Sequence, residues 1–193
     1  MVKKTTVGVL ALQGDFLEHI KILEKLEIHA KEIRLPQDLD GIDGIIMPGG
    51  ESTTIANLLD VFKLREPLIK KIKNGLPVWG TCAGMILLAK KIVQNKPIPF
   101  GLMDIAVSRN AYGRQIDSFT TEIKIKPLGD KKLLATFIRA PIIEKVGEGV
   151  EVLGEYDGNI VAVRQKNMLA TSFHPELTAD TRFHEYFISL INN

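Results

Sequence analysis

Three times along the N-terminal half of the chain, a short apolar run ends in a tight turn and gives way to a helical pattern. Val7 to Leu12 is almost continuously apolar, a pattern typical of strands covered on both faces, as in a parallel sheet. The run stops at Gln13-Gly14-Asp15. Phe16, Ile20 and Leu23 then mark one helical face, extended by Leu26, with Asp15 placed as N-cap and Glu18 three residues on. Gly44 to Met47 repeats the strand and Pro48-Gly49-Gly50 the turn, so a helix is expected to start near Ser52. Leu76 to Trp79 is a third strand, followed by a helical pattern from Ala83 through Ile92. This repetition predicts a doubly wound α/β sheet.

From about Met103 the texture changes to strands with few helices: Ile105 to Ser108, Phe119 to Ile125, Leu134 to Ile138, Val150 to Tyr156 and Ile160 to Arg164, several of them antiparallel. Met168 to Phe173 reads as a last core strand. The closing helix carries Phe183, Tyr186, Phe187, Leu190 and Ile191 as one apolar stripe. No repeat or flexible linker interrupts the chain, and 193 residues at 45% hydrophobic content suffice for one sizeable core. We expect one domain over residues 1–193, an α/β fold whose mixed, mostly parallel central sheet is flanked by helices.

Charge narrows the function. The formal net charge is +2 with both signs interspersed, which argues against a nucleic-acid partner. Lysines such as Lys70, Lys71 and Lys73 adjoin apolar periodic segments and read as solvated faces. Lys3 and Lys4 before Val7 imitate a secretory signal, but the apolar run is too short and has no cleavage site. No stretch is long enough to span a membrane. One cysteine and four scattered histidines support neither a disulfide nor a metal site, so no metal or cofactor is expected, and a reducing cytoplasm fits.

The chemistry concentrates in Gly80-Thr81-Cys82-Ala83-Gly84, between a strand and a helix. A nucleophile on such a sharp turn crowds its neighbours, so positions two before and two after it favour glycine. A sulfur at a helix N-terminus also sits in a field that favours thiolate. The competing reading is a small buried core cysteine. A thiolate needs a base, and His174 is the best placed, just past the last core strand. Glu176, beyond the stiff Pro175, can orient the imidazole, completing triad logic. Acyl transfer further needs oxyanion donors: the amide of Ala83 is one, and the Pro48-Gly49-Gly50 turn offers Gly50 as the second. His19, His29 and His184 read as structural.

Together with His174-Pro175-Glu176, the cysteine motif resembles the class I, triad-type glutamine amidotransferases. Within that class, Ala11 to Asp15, Pro48 to Thr53, Arg109 to Gln115, Phe137 to Pro141 and Phe173 to Thr178 are similar to the glutaminase subunits of pyridoxal 5′-phosphate synthase. The resemblance covers nearly the whole chain and implies that family's fold. It further implies that Gly50, Glu51, Ser52, Arg109, Ile138 and Arg139 bind L-glutamine, and that the turn around Gln13 docks on the synthase subunit that receives the ammonia. An arginine fork suits the carboxylate of a free amino acid. Glutaminases of other amidotransferases, such as imidazole glycerol phosphate synthase, share the triad. A non-catalytic module on the same fold is the rival of a different class. We also expect the Gly49-Gly50 turn to leave the oxyanion hole unformed until the synthase binds.

Overall fold

The computed structural model describes residues 4–109 and 118–192. Its first half runs β1 (Thr6–Leu10), α1 (Phe16–Lys25), β2 (His29–Ile33), β3 (Gly44–Met47), α2 (Ser52–Val61), α3 (Arg65–Lys73), β4 (Val78–Thr81) and α4 (Ala83–Leu88). The second half is mostly strands: β5 (Ala89–Ile92), β6 (Met103–Ser108), β7 (Ser118–Ile123), β8 (Leu133–Ile138), β9 (Ile142–Val146), β10 (Glu151–Tyr156), β11 (Asn159–Gln165) and β12 (Met168–Thr171), closed by α5 (Arg182–Ile191).

Nine strands follow the order β2-β1-β3-β4-β12-β11-β9-β6-β5, with β10 paired to β11. From β2 to β12 every pairing is parallel; β11 and β9 then run antiparallel to their neighbours, while β5 and β6 are again parallel. The expected mixed α/β sheet is therefore present. Strands β7 and β8 stand apart as an antiparallel pair.

Alternation along the central strands divides the core in two, because successive side chains leave a strand on opposite faces. Ile45, Met47, Val78 and Ala170 meet α2, α3 and α4 on one face. Ile46, Trp79 and Leu169 meet α1, α5 and the β7–β8 pair on the other. Arg182, at the start of α5, donates to the carbonyls of Lys131 and Lys132, both at 2.8 Å, and so ties that helix to the segment entering β8. Among the described residues no helix is long and apolar enough to cross a membrane.

The helix expected through Ile92 stops at Leu88, and Ala89–Ile92 is a strand instead. Its backbone pairs with β6, Ala89 opposite Met103, and Lys90 and Lys91 lie exposed, a tertiary pairing that overrides a local helical pattern. Strands β2 and β9 were not among the expected elements, because His-Ala-Lys-Glu-Ile and Ile-Ile-Glu-Lys-Val carry little period-two contrast.

Glycine spacing sets how closely α4 approaches the sheet. A Cβ on Gly80 would sit 2.5 Å from the carbonyl carbon of Gly84, and one on Gly84 would run into the carbonyl oxygen of Met47 on β3. Both obstacles are backbone and cannot swing aside. Gly84→Ala is expected to cost about 1–3 kcal/mol, the usual penalty for forcing an atom into a filled interior. A lower denaturant midpoint would register it, and an unchanged midpoint would refute it.

Candidate active site

The site is assembled at the C-terminal ends of four adjacent parallel strands, where open α/β sheets place ligands. β1 delivers the turn Gln13 to Asp15, β3 delivers Pro48 to Gly50, β4 delivers Cys82 and β12 leads to His174. Thr81 lies opposite Thr171, so the residues that follow each strand emerge side by side.

Cys82 occupies the elbow between β4 and α4 with φ 46° and ψ −100°, a left-handed conformation that L-residues rarely adopt. Its amide is held by the Thr171 carbonyl at 2.8 Å. The residue is 8% exposed and lines a cavity of about 360 Å³. Cys82 and His174 line the same cavity, and the interaction between them helps raise the pKa of His174. Its amide bonds the Thr136 carbonyl on β8 at 2.8 Å, and its Nδ1 donates to Glu176 Oε1 at 2.7 Å. Of the three proposed triad members, His174 and Glu176 are in direct contact, and Cys82 shares the cavity wall with His174.

Burial opposes charge on His174, but the hydrogen bonds with Cys82 and Glu176 outweigh it and raise its pKa to about 11. Burial likewise opposes the Glu176 carboxylate, and His19 and His174 prevail over it, holding its pKa far below the usual range. An imidazolium beside an ionised carboxylate is the resulting state at neutral pH.

Gly50, Glu51, Ser52, Arg109, Ile138 and Arg139 all line the cavity with Cys82, His174 and Gln13. Arg139 holds φ 41°, a second strained backbone at this wall. The Ser52 hydroxyl is buried without a hydrogen-bond partner among the described residues. Glu51 caps α2: its carboxylate accepts from the amides of Thr53 and Thr54 at 3.0 and 2.6 Å. Those bonds, working against burial, hold its pKa below the ordinary value. Arg109 meets it at 3.3 Å. Residues 110–115 of the segment resembling the family lie outside the described residues. Ala83 is fully buried behind the wall, so its contribution is confined to its backbone amide in the first turn of α4.

The turns after β1 and β3 are interlocked. The Asp15 amide donates to the Gly49 carbonyl at 3.1 Å, and Gln13 Oε1 accepts from the Glu51 amide at 2.8 Å. Gly14, at φ 98°, approaches so closely that a Cβ there would collide with the Gly49 carbonyl.

Two residues near the triad escaped the sequence reading. Asp15 makes no side-chain cap on α1; its carboxylate lies 3.4 Å from His174 Nδ1, and burial lifts its pKa. His19 is fully buried with Nε2 at 3.4 Å from Glu176 Oε2. Its spacing with Leu23 and Leu26 puts it on the inward face of α1, the one signal that separated it from His29. Asp15, His174 and Glu176 also offer ligand atoms within 4.8 Å of one another, but His174 and Glu176 already satisfy each other there.

Residues 9–193 match the SNO glutamine amidotransferase family. The chain belongs to that family. It is 55% identical over 190 residues to the pyridoxal 5′-phosphate synthase subunit PdxT of Herpetosiphon aurantiacus, covering 96% of this chain and 100% of the relative. It is 53% identical over 187 residues to the protein of the same name from Dehalococcoides mccartyi, covering 95% and 96%. A solved glutamine amidotransferase superposes with a TM-score of 0.91 at 46% identity, over 97% of this chain and 99% of that one.

The amidotransferase's electrostatics make a pH prediction. A histidine pKa raised from 6.5 to about 11 contributes stability that is complete below 6.5 and lost as pH rises through 11. Glu176→Gln removes one of the raising partners. The NMR titration of His174 in that variant is expected to move to lower pH, and an unmoved titration would show that Glu176 does not hold the proton.

Proposed function

We propose that residues 1–193 form one glutaminase domain that hydrolyses L-glutamine on Cys82, with His174 as proton carrier and Glu176 as its orienting carboxylate. The observation that carries this reading is the meeting of Cys82 and His174 at one cavity, with His174 bonded to Glu176 at 2.7 Å. The chain is the glutaminase subunit of pyridoxal 5′-phosphate synthase, and it delivers ammonia to the synthase subunit in a hetero-oligomer for vitamin B6 biosynthesis.

The thiolate attacks the side-chain amide carbon of glutamine. Negative charge develops on the amide oxygen, where the amides of Gly50 and Ala83 are the donors we assign. The carbon–nitrogen bond breaks as His174 gives its proton to the leaving nitrogen, so ammonia departs and a γ-glutamyl thioester remains. Water then attacks the thioester, His174 takes its proton, and glutamate leaves with the thiolate restored. Arg109 suits the α-carboxylate of glutamine, the Glu51 carboxylate and the buried Ser52 hydroxyl suit polar groups of the substrate, and Ile138 and Arg139 close the far wall.

Ammonia in water is mostly ammonium, which cannot attack a carbonyl, so delivery calls for direct contact between subunits. We assign docking to the turn around Gln13. That turn grips the proposed oxyanion turn through Gly49 and Glu51, so a synthase seated on it could act on Gly50. A free thiol of this kind suits a reducing cytoplasm.

Cys82→Ala is expected to abolish glutamate release, and a glutamine-analogue electrophile to label Cys82; activity surviving in the variant would favour a non-catalytic role. Adding the synthase subunit should raise glutamate release above that of the isolated chain. Full activity alone would show that the oxyanion hole is already formed. Arg109→Ala should raise KM for glutamine by about tenfold or more, as expected when a charge-assisted hydrogen bond worth roughly 1.5–3 kcal/mol is lost.

A further inference from the structure

Behind the proposed triad, buried imidazoles continue the line of polar contacts away from the sulfur. Glu176 presents Oε1 to His174 at 2.7 Å, while its Oε2 is buried and makes no hydrogen bond of ordinary length among the described residues. His19 Nε2 faces that oxygen at 3.4 Å and lies at the same distance from Thr81 Oγ1. On its other side, His19 Nδ1 meets His184 Nε2 at 3.0 Å, and both rings are fully buried. Trp79 closes around the pair, with ring centroids 5.4 Å from His19 and 4.9 Å from His184.

The proton positions follow from what each atom can accept. An ionised carboxylate only accepts, so the His19 nitrogen facing Glu176 carries a proton. Burial pushes the pKa of His184 well below its ordinary value, leaving that ring neutral with one proton. Among the described residues its Nδ1 has no partner, so placing that proton on Nε2, toward His19, satisfies more groups than the alternative. Every donor then points the same way: His184 to His19, and His19 to Glu176 Oε2, while His174 donates to Oε1.

We propose, resting on the glutaminase reading above, that His19 is a positioning residue for glutamine hydrolysis. Its Nε2–H holds the second oxygen of Glu176, with its tautomer fixed by His184, so that the carboxylate keeps its first oxygen on His174. A contact of 3.4 Å is long for a hydrogen bond, and such contacts commonly tighten once substrate is bound. His19 stands on α1, the helix that follows the Gln13 to Asp15 turn directly, so the same element carries the proposed docking turn and the group that steadies the triad.

The test compares amides that imitate one ring nitrogen each, in the complex of this chain with its synthase subunit. His19→Gln can place a donor near the Nε2 position, whereas His19→Asn places one near Nδ1 and leaves Glu176 Oε2 unheld. His19→Asn is expected to lower kcat by about tenfold or more with KM little changed, as for loss of a bond to a charged group, and His19→Gln to recover most of it. Equal kcat in the two variants, at comparable thermal stability, would overturn the proposal and leave His19 a core filler. The NMR titration of His174 provides a second readout that needs no turnover. It should lie at lower pH in His19→Asn than in His19→Gln, and coincident titrations would likewise overturn the proposal. A wild-type complex that releases no glutamate, with the two titrations still apart, would count against the glutaminase reading alone.

Discussion

Parallel pairing of β4 with β12 is the contact on which the proposed chemistry depends. Thr81 opposite Thr171 lets the Cys82 elbow and the His174 segment leave the sheet as neighbours, although Cys82 and His174 are 92 positions apart in sequence. The Cys82 amide bonded to the Thr171 carbonyl continues that ladder one step past the strand. A one-residue slip would turn every side chain of β12 to the opposite face, sending Leu169 and Ala170 into the wrong halves of the core. Packing on both faces therefore fixes the register, and the register fixes the site.

Given that frame, electrostatics sets the state of the residues. His174 and Glu176 are both buried, so each taken alone would lose its charge. Together they keep it, because the cation and the anion bond at 2.7 Å and His19 faces the remaining carboxylate oxygen. Backbone strain works alongside: Cys82 and Arg139 both hold positive φ at the cavity wall. Residues persist in such conformations only where their surroundings over-determine them, as the glycines and strand pairing around Cys82 do.

A second frame joins the β1 and β3 turns. Gly14 lets the two backbones touch, and the bonds from Asp15 to Gly49 and from Glu51 to Gln13 lock them. Neither turn can shift against the other without disturbing those contacts. The first βα unit is thus joined both to the Gly50 turn and, through α1, to the buried face of Glu176.

Local pattern in the sequence was enough to determine the βα units, the elbow at Cys82 and the inward stripe of α5, because each rests on periodicity or on glycine sterics within a few residues. The pairing of His174 with Glu176 was legible for the same reason, two residues apart across a proline. What only tertiary structure decided depends on distant partners. Ala89–Ile92 became a strand because β6 lay beside it, and β2 and β9 formed despite weak alternation because neighbouring strands offered hydrogen bonds. Asp15 turned from capping its helix toward His174, and His19 was brought onto Glu176 and His184 from opposite ends of the chain. No window of sequence encodes such contacts, since they arise from strand order and from which face of a helix the finished core covers.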